Sequence, residues 1–196
     1  MEKPKILVFA GSTRNDSLHR KLAQAAAAEL RRAGADVMVA DLRDYPMPLY
    51  DGDLEAAQGM PPGAKAFKEL VRGQAGLVIA SPEYNGSFSA LLKNTIDWIS
   101  RPEAGEGPLA VLRGKTAALL SASPGPGGGQ RGLRHLRELL ERIGVQVAPS
   151  QVTVARAMEA FDGEGRLVRR EDGEAVKHMI GGLMDAVEEQ PGVVAA

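Results

Sequence analysis

Short apolar runs alternate along this chain with longer stretches in which apolar residues return every three or four positions. The runs at residues 6–10, 37–40, 76–80, 116–122 and 145–148 are nearly uninterrupted and rich in Val, Ile, Leu and Ala, the pattern of strands covered on both faces rather than one. Between them the spacing predicts amphipathic helices near 17–33, 63–73, 88–99, 130–143 and 173–188. In the first, Leu18, Leu22, Ala25, Ala26 and Leu30 share a face and Gly34 is placed to end it. In the fourth, Leu133, Leu136, Leu139, Leu140 and Ile143 form the stripe and Gly144 follows. Strands and helices in alternation imply an α/β fold built on a parallel sheet.

The connection over residues 42–62 holds four prolines and the run Tyr45-Pro-Met-Pro-Leu-Tyr50, which excludes a helix interior or a central strand there. A connection of that length is expected to serve function or a partner. Residues 103–108 and 161–173 also read as loops, and the tail after Gln190 is expected to fray. With no repeat and no linker, residues 1–190 of the 196 are expected to form one domain, with 191–196 as a flexible tail.

Charge and composition narrow the chemistry. Lys and Arg total 24 against 25 Asp and Glu, so nothing favours a nucleic-acid or anionic-membrane partner. There is no cysteine, which removes disulfides, thiolate nucleophiles, iron–sulfur clusters and Cys-ligated zinc, and leaves redox chemistry to an organic cofactor. The run at 6–10 is shorter than the roughly 7–15 apolar residues of a signal-peptide core, and no run approaches the ~18 that span a membrane. A soluble, cytoplasmic protein is expected. His19, His135 and His178 have no metal-ligand spacing, the Asp162-Gly-Glu-Gly165 segment lacks a calcium-loop series, and no nucleophile elbow is present.

In an open parallel sheet, ligands sit beyond the carboxyl ends of the strands, which directs attention to three loops. After the first strand comes Gly11-Ser-Thr-Arg-Asn-Asp-Ser-Leu-His-Arg20. A glycine turn lets backbone N–H groups converge, Ser12, Thr13 and Ser17 add hydroxyls, Arg14 adds a cation, and a helix N-terminus points at the same place. Neither the P-loop nor the three-glycine dinucleotide fingerprint is present. Such a loop suits one terminal phosphate, as flavin mononucleotide carries; the alternative is a turn whose serines only cap the helix. After the third strand, Ser81-Pro-Glu-Tyr-Asn-Gly-Ser87 offers a rigid turn whose backbone groups can pair with the edge of a planar heterocycle while the Tyr84 ring packs nearby. After the fourth, Ser121-Ala-Ser-Pro-Gly-Pro-Gly-Gly-Gly-Gln130 is small enough for a flat ring to approach closely.

In this order and on these elements, the three segments resemble the NADPH-dependent FMN reductase family of flavodoxin-like proteins, which includes quinone, chromate and azo-dye reductases. The family's GSxRxxSxN-type loop matches residues 11–19, its PEYNGS and LKNxIDW segments match 82–87 and 92–98, and its Ser- and Gly-rich loop matches 121–129. The resemblance implies a flavodoxin-like three-layer sandwich with strand order 2-1-3-4-5, bound FMN, and NADPH or NADH as reductant. It implies that Ser12, Arg14 and Ser17 bind the phosphate, that Pro82, Glu83, Tyr84 and Asn85 line the ring and ribityl chain, and that Ser123 and Gly125 neighbour the ring. His19 stands where the family commonly has Asn, and is expected to add a pH dependence to FMN affinity near neutrality. Ser89 and Ala90 replace a common Pro-Gly pair. No catalytic side chain is implied, because the flavin carries the hydride. A quinone, azo, chromate or free-flavin acceptor and a homodimer or homotetramer follow from the same resemblance, with residues 88–99 and 42–62 as contact surfaces; a flavodoxin-like electron carrier or flavin sensor is the alternative. Phe88 and Trp98 read as core or subunit contacts on the helix over 88–99, and Lys93 with Asp97 as a surface pair.

Overall fold

The computed structural model describes residues 3–189, so the fraying expected after Gln190 lies outside the described residues. In chain order the first half contains β1 (Lys5–Ala10), α1 (Leu18–Arg32), β2 (Asp36–Ala40), α2 (Gly52–Gln58), α3 (Pro62–Arg72) and β3 (Gly76–Ala80). The second contains β4 (Glu83–Tyr84), β5 (Ser87–Phe88), α4 (Ala90–Ile99), β6 (Thr116–Ala122), α5 (Gln130–Arg142), β7 (Gln146–Val154) and α6 (Arg170–Glu188). Five strands pair in parallel in the order β2-β1-β3-β6-β7. The remaining two, β4 and β5, form a separate antiparallel hairpin. Counting the sheet strands alone, this is the expected 2-1-3-4-5 arrangement.

The apolar runs are uninterrupted because the sheet has two cores. Ile6, Val8, Ala10, Val78, Ala80, Ala118 and Leu120 point to one face, where Leu22, Ala26 and Leu30 of α1 and Met179, Ile180 and Leu183 of α6 close over them. Leu7, Phe9, Leu77, Ile79, Ala117 and Leu119 point to the other, against Phe67 of α3, Leu92 and Ile96 of α4, and Leu133, Leu136 and Leu140 of α5. Alternate residues of each strand therefore serve opposite layers, and from Ile6 onward in β1 and throughout β3 and β6 every residue is buried.

Four elements differ from the pattern reading. The last strand runs on past Pro149 to Val154, because β7 is an edge strand and its pairing with β6 shifts register between Ala117 and Leu119, which removes the need for an N–H at the proline. The Arg137 guanidinium donates to the carbonyls of Val147 and Ala148 at 3.2 and 2.6 Å and so satisfies the interrupted ladder. Residues 42–62 include a short 3-10 turn and α2. Phe88 belongs to the hairpin, and α4 starts only at Ala90. Finally, α6 begins at Arg170 rather than Gly173.

The run Tyr45 to Tyr50 has no regular structure, as its prolines require, yet it is held firmly to α4. Asn94 donates to the Pro48 carbonyl at 2.8 Å and accepts the Tyr50 N–H at 2.7 Å, while the buried Trp98 indole donates to the same Pro48 carbonyl at 2.8 Å. The Tyr50 ring meets Trp98 edge-on and carries the Arg101 guanidinium 5.5 Å from its centre. Trp98 thus has the core role read for it, and Lys93 and Asp97 form the surface pair at 2.7 Å. Glu69, Glu103 and Glu106 converge, but Lys65, Lys68 and Arg72 sit among them, so the acids neutralise cations and clamp residues 101–106 to α3. No described helix is long and apolar enough to cross a membrane.

Candidate functional site

Because β1, β3 and β6 are neighbours in the sheet, the three loops leaving their carboxyl ends are brought side by side. The first keeps its glycine close to the other two. Gly11 N–H donates to the Ala80 carbonyl at 2.9 Å, and a Cβ at Gly11 would meet Ser89 Oγ and Leu92 Cβ at 3.1 Å and Pro82 Cδ at 3.3 Å. Ser12 is buried, and its hydroxyl accepts the Arg14 N–H at 3.4 Å. Ser17 caps α1, accepting the Arg20 N–H at 3.3 Å, which is the helix-cap role considered from the sequence; the hydroxyl proton remains able to donate outward.

The charges around this loop are unevenly satisfied. Asp41, at the end of β2, accepts from Arg43 and pairs with Arg20 at 2.8 Å, and these hydrogen bonds, Arg43's first, hold its carboxyl below the usual range. Arg43 also donates to the Asn15 side chain at 2.9 Å, and Arg20 reaches the Arg14 carbonyl at 3.5 Å. Two guanidiniums therefore brace the loop while one carboxylate offsets them. Among the described residues the Arg14 guanidinium has no ion pair, and the Ser12 and Thr13 N–H groups have no partner within the chain. A free guanidinium, hydroxyls, free N–H groups and the first turn of α1 are the donor set of a phosphate dianion. That chemistry fits the terminal phosphate of FMN.

The second loop is a two-residue hairpin. Asn85 and Gly86 take φ of 52° and 79°, the left-handed pair of a type I′ turn, which explains why Asn-Gly stands there. Tyr84 is left 51% exposed and free to stack. Glu83 turns the other way: its carboxylate accepts the Gly132 N–H at 2.9 Å in the first turn of α5, where an anion satisfies an orphan donor and the helix dipole together. One carboxylate oxygen of Glu83 is thereby engaged, and its backbone stays at the hairpin turn. A Cβ on Gly132 would crowd Glu83 Cβ and Cγ at 3.2 Å, so the glycine admits this contact.

In the third loop the Ser123 hydroxyl accepts the Gly125 N–H at 3.1 Å, and the Ser123 and Gly125 carbonyls accept from Ala157 and Arg156. The loop is thereby backed by the chain that follows β7. A Cβ on Gly129 would fall 2.0 Å from Ser121 Oγ, whereas nothing lies within 4 Å of such an atom on Gly127. The small residues are packed on the sheet side and open on the outer side, as a flat ring requires.

His19 departs most from expectation. It lies on the inner face of α1, in register with Ala23 and Ala27, and is 8% exposed. Its Nε2 accepts the Ala122 N–H at 3.2 Å and lies 3.4 Å from Ser121 Oγ, which leaves the proton on Nδ1. Burial, and secondarily the Arg14 charge, lower its pKa from 6.5 to about 4. The near-neutral titration expected of His19 is thus corrected: the ring is neutral at pH 7, and it joins the first loop to the third. The spacing His19, Ala23, Ala27 carried a signal for this burial that the Leu-based stripe concealed.

Three cross-loop bonds result. Ser89 donates to the Gly11 carbonyl at 2.7 Å, His19 accepts from Ala122, and Glu83 accepts from Gly132. Sequence reasoning treated Ser89 as a departure only; a hydroxyl just ahead of an apolar helical pattern is an N-cap signature that marks it.

Comparison with known proteins gives the family and the fold. The model of the NADPH-dependent FMN reductase family matches residues 4–159. An NAD(P)H-dependent FMN reductase of Pseudomonas aeruginosa is 36% identical over 180 residues, covering 91% of this chain and 92% of its own. A quinone reductase of Escherichia coli is 37% identical over 143 residues, covering 71% and 70%. In three dimensions the flavoenzyme FerB, an NAD(P)H:(acceptor) oxidoreductase of Paracoccus denitrificans, superposes with a TM-score of 0.78 at 24% identity over 95% of this chain and 98% of its own. With its three loops in family order on a flavodoxin-like sheet, the chain belongs to the NADPH-dependent FMN reductase family.

Proposed function

We propose that this chain is an FMN-dependent NAD(P)H oxidoreductase with its cofactor held beyond β1, β3 and β6. In this reading Ser12, Arg14 and Ser17 take the phosphate, Pro82, Tyr84, Asn85 and the Glu83 backbone line the ring and ribityl chain, and Ser123 and Gly125 approach the ring. Bound there, FMN supplies hydride acceptance from a nicotinamide and return of two electrons to an oxidant of the quinone, azo, chromate or free-flavin class. The protein contributes position: a fixed turn for the ring edge, an exposed Tyr84 to stack, and a neutral His19 that adds no competing charge. The observation that carries the reading is the free Arg14 guanidinium beside free N–H groups at the end of β1. A cytoplasmic setting belongs to the same proposal, since the reaction consumes an intracellular reductant.

Assembly into a homodimer or homotetramer is part of this reading. Leu49 is 80% exposed although both its neighbours are pinned to α4, so a rigid turn presents an apolar anchor to solvent.

Desalted protein loaded with FMN should keep a flavin spectrum and bleach on anaerobic addition of NADPH, and Arg14→Ala should weaken FMN binding about tenfold, ~1.4 kcal/mol. Retained flavin that NADPH fails to bleach would favour the carrier or sensor. Loss of flavin from the unaltered chain on desalting would contradict the phosphate site.

His19 sets an acid response with a definite sign. Between 6.5 and about 4 the unfolded chain binds a proton that the folded chain excludes, so stability falls as pH drops through that window. By pH 5 the expected loss is about 2 kcal/mol. Urea unfolding at pH 7.5 and pH 5 should show His19→Asn losing less than the unaltered chain by about that amount; equal losses would remove His19 as the cause.

Sedimentation velocity should give a mass above the 20.7 kDa monomer, reduced toward it by Leu49→Asp. A monomer at tens of micromolar would overturn the oligomeric part.

A further inference from the structure

Ser89 is 3% exposed and uses its hydroxyl twice. As N-cap of α4 it accepts the Leu92 N–H at 3.2 Å, and its own proton goes to the Gly11 carbonyl at 2.7 Å, 78 positions earlier in the chain. The second bond reaches the site. Gly11 has its N–H engaged by Ala80, so with its carbonyl held by Ser89 both polar groups of the residue are fixed. The carbonyl of one residue and the N–H of the next point in opposite directions across a planar trans peptide. Turning the Gly11 carbonyl toward Ser89 therefore directs the Ser12 N–H away from α4, and among the described residues that N–H has no partner within the chain.

We infer that Ser89 is a positioning residue for the phosphate loop: it orients the Gly11–Ser12 peptide so that the Ser12 N–H is presented to the FMN phosphate. This rests on the phosphate reading of the loop and goes beyond it, because both hydrogen bonds of the Ser89 hydroxyl are made within the chain, to Gly11 and Leu92.

Two neutral substitutions test the hydroxyl: Ser89→Ala loses its bonds, and Ser89→Thr retains them. FMN and riboflavin, which lacks the phosphate, are titrated into each apoprotein and followed by flavin fluorescence, with near-ultraviolet circular dichroism to confirm folding. FMN affinity should fall about tenfold in Ser89→Ala while riboflavin affinity changes less than about twofold, and Ser89→Thr should match the unaltered chain for both. Equal weakening of FMN and riboflavin would make Ser89 merely structural, and unchanged FMN affinity would remove its role; either overturns the inference and leaves the phosphate reading standing. An unaltered chain with no preference for FMN over riboflavin would overturn both.

Discussion

A polar group that a fold withdraws from water must find a partner, and at one edge of this sheet that requirement joins three separate loops. The parallel strands β1, β3 and β6 end together, and their loops crowd where α1, α4 and α5 begin. Each loop places a polar atom in that crowded space and finds its partner on another loop: Gly11 on Ser89, Ala122 on His19, Gly132 on Glu83. The bonds close a ring, so displacing one loop strains the other two. A cofactor entering such a site meets donors that are already set, and less of its binding free energy is spent on ordering.

The same economy governs charge. Arg20 and Arg43 are close enough to the first loop to compete for an anion, but Asp41 engages both. Arg14 is left over. The chain as a whole is nearly neutral, at −1, so attraction for a phosphate comes from one unpaired guanidinium and oriented N–H groups rather than from a general positive field.

Much of the fold was legible because both faces of the sheet are buried. That constraint writes near-continuous apolar runs into β1, β3 and β6, and it fixes a helical stripe on every covering helix. The site was legible where the chain must turn tightly, at Gly11, Asn85-Gly86 and the glycines before α5. What stayed hidden depended on distant partners. Pro149 looks like a strand end until Arg137 is seen bonding the carbonyls around it. The Glu83 carboxylate looks free until Gly132 is placed beside it. His19 looks like a group that titrates near neutrality until the sheet is assembled and the ring is buried against Ala122. In each case the local residue type permits two roles, and a contact tens of residues away chooses between them.

The central claim is that the three loops are tied to one another in the arrangement that receives FMN. A crystal structure of the FMN-loaded protein tests it most directly. The account predicts the phosphate within hydrogen-bonding distance of Arg14 and the Ser12 N–H, with the Ser89–Gly11, His19–Ala122 and Glu83–Gly132 bonds unchanged. A phosphate bound elsewhere, or loops that part from one another to admit the flavin, would contradict it.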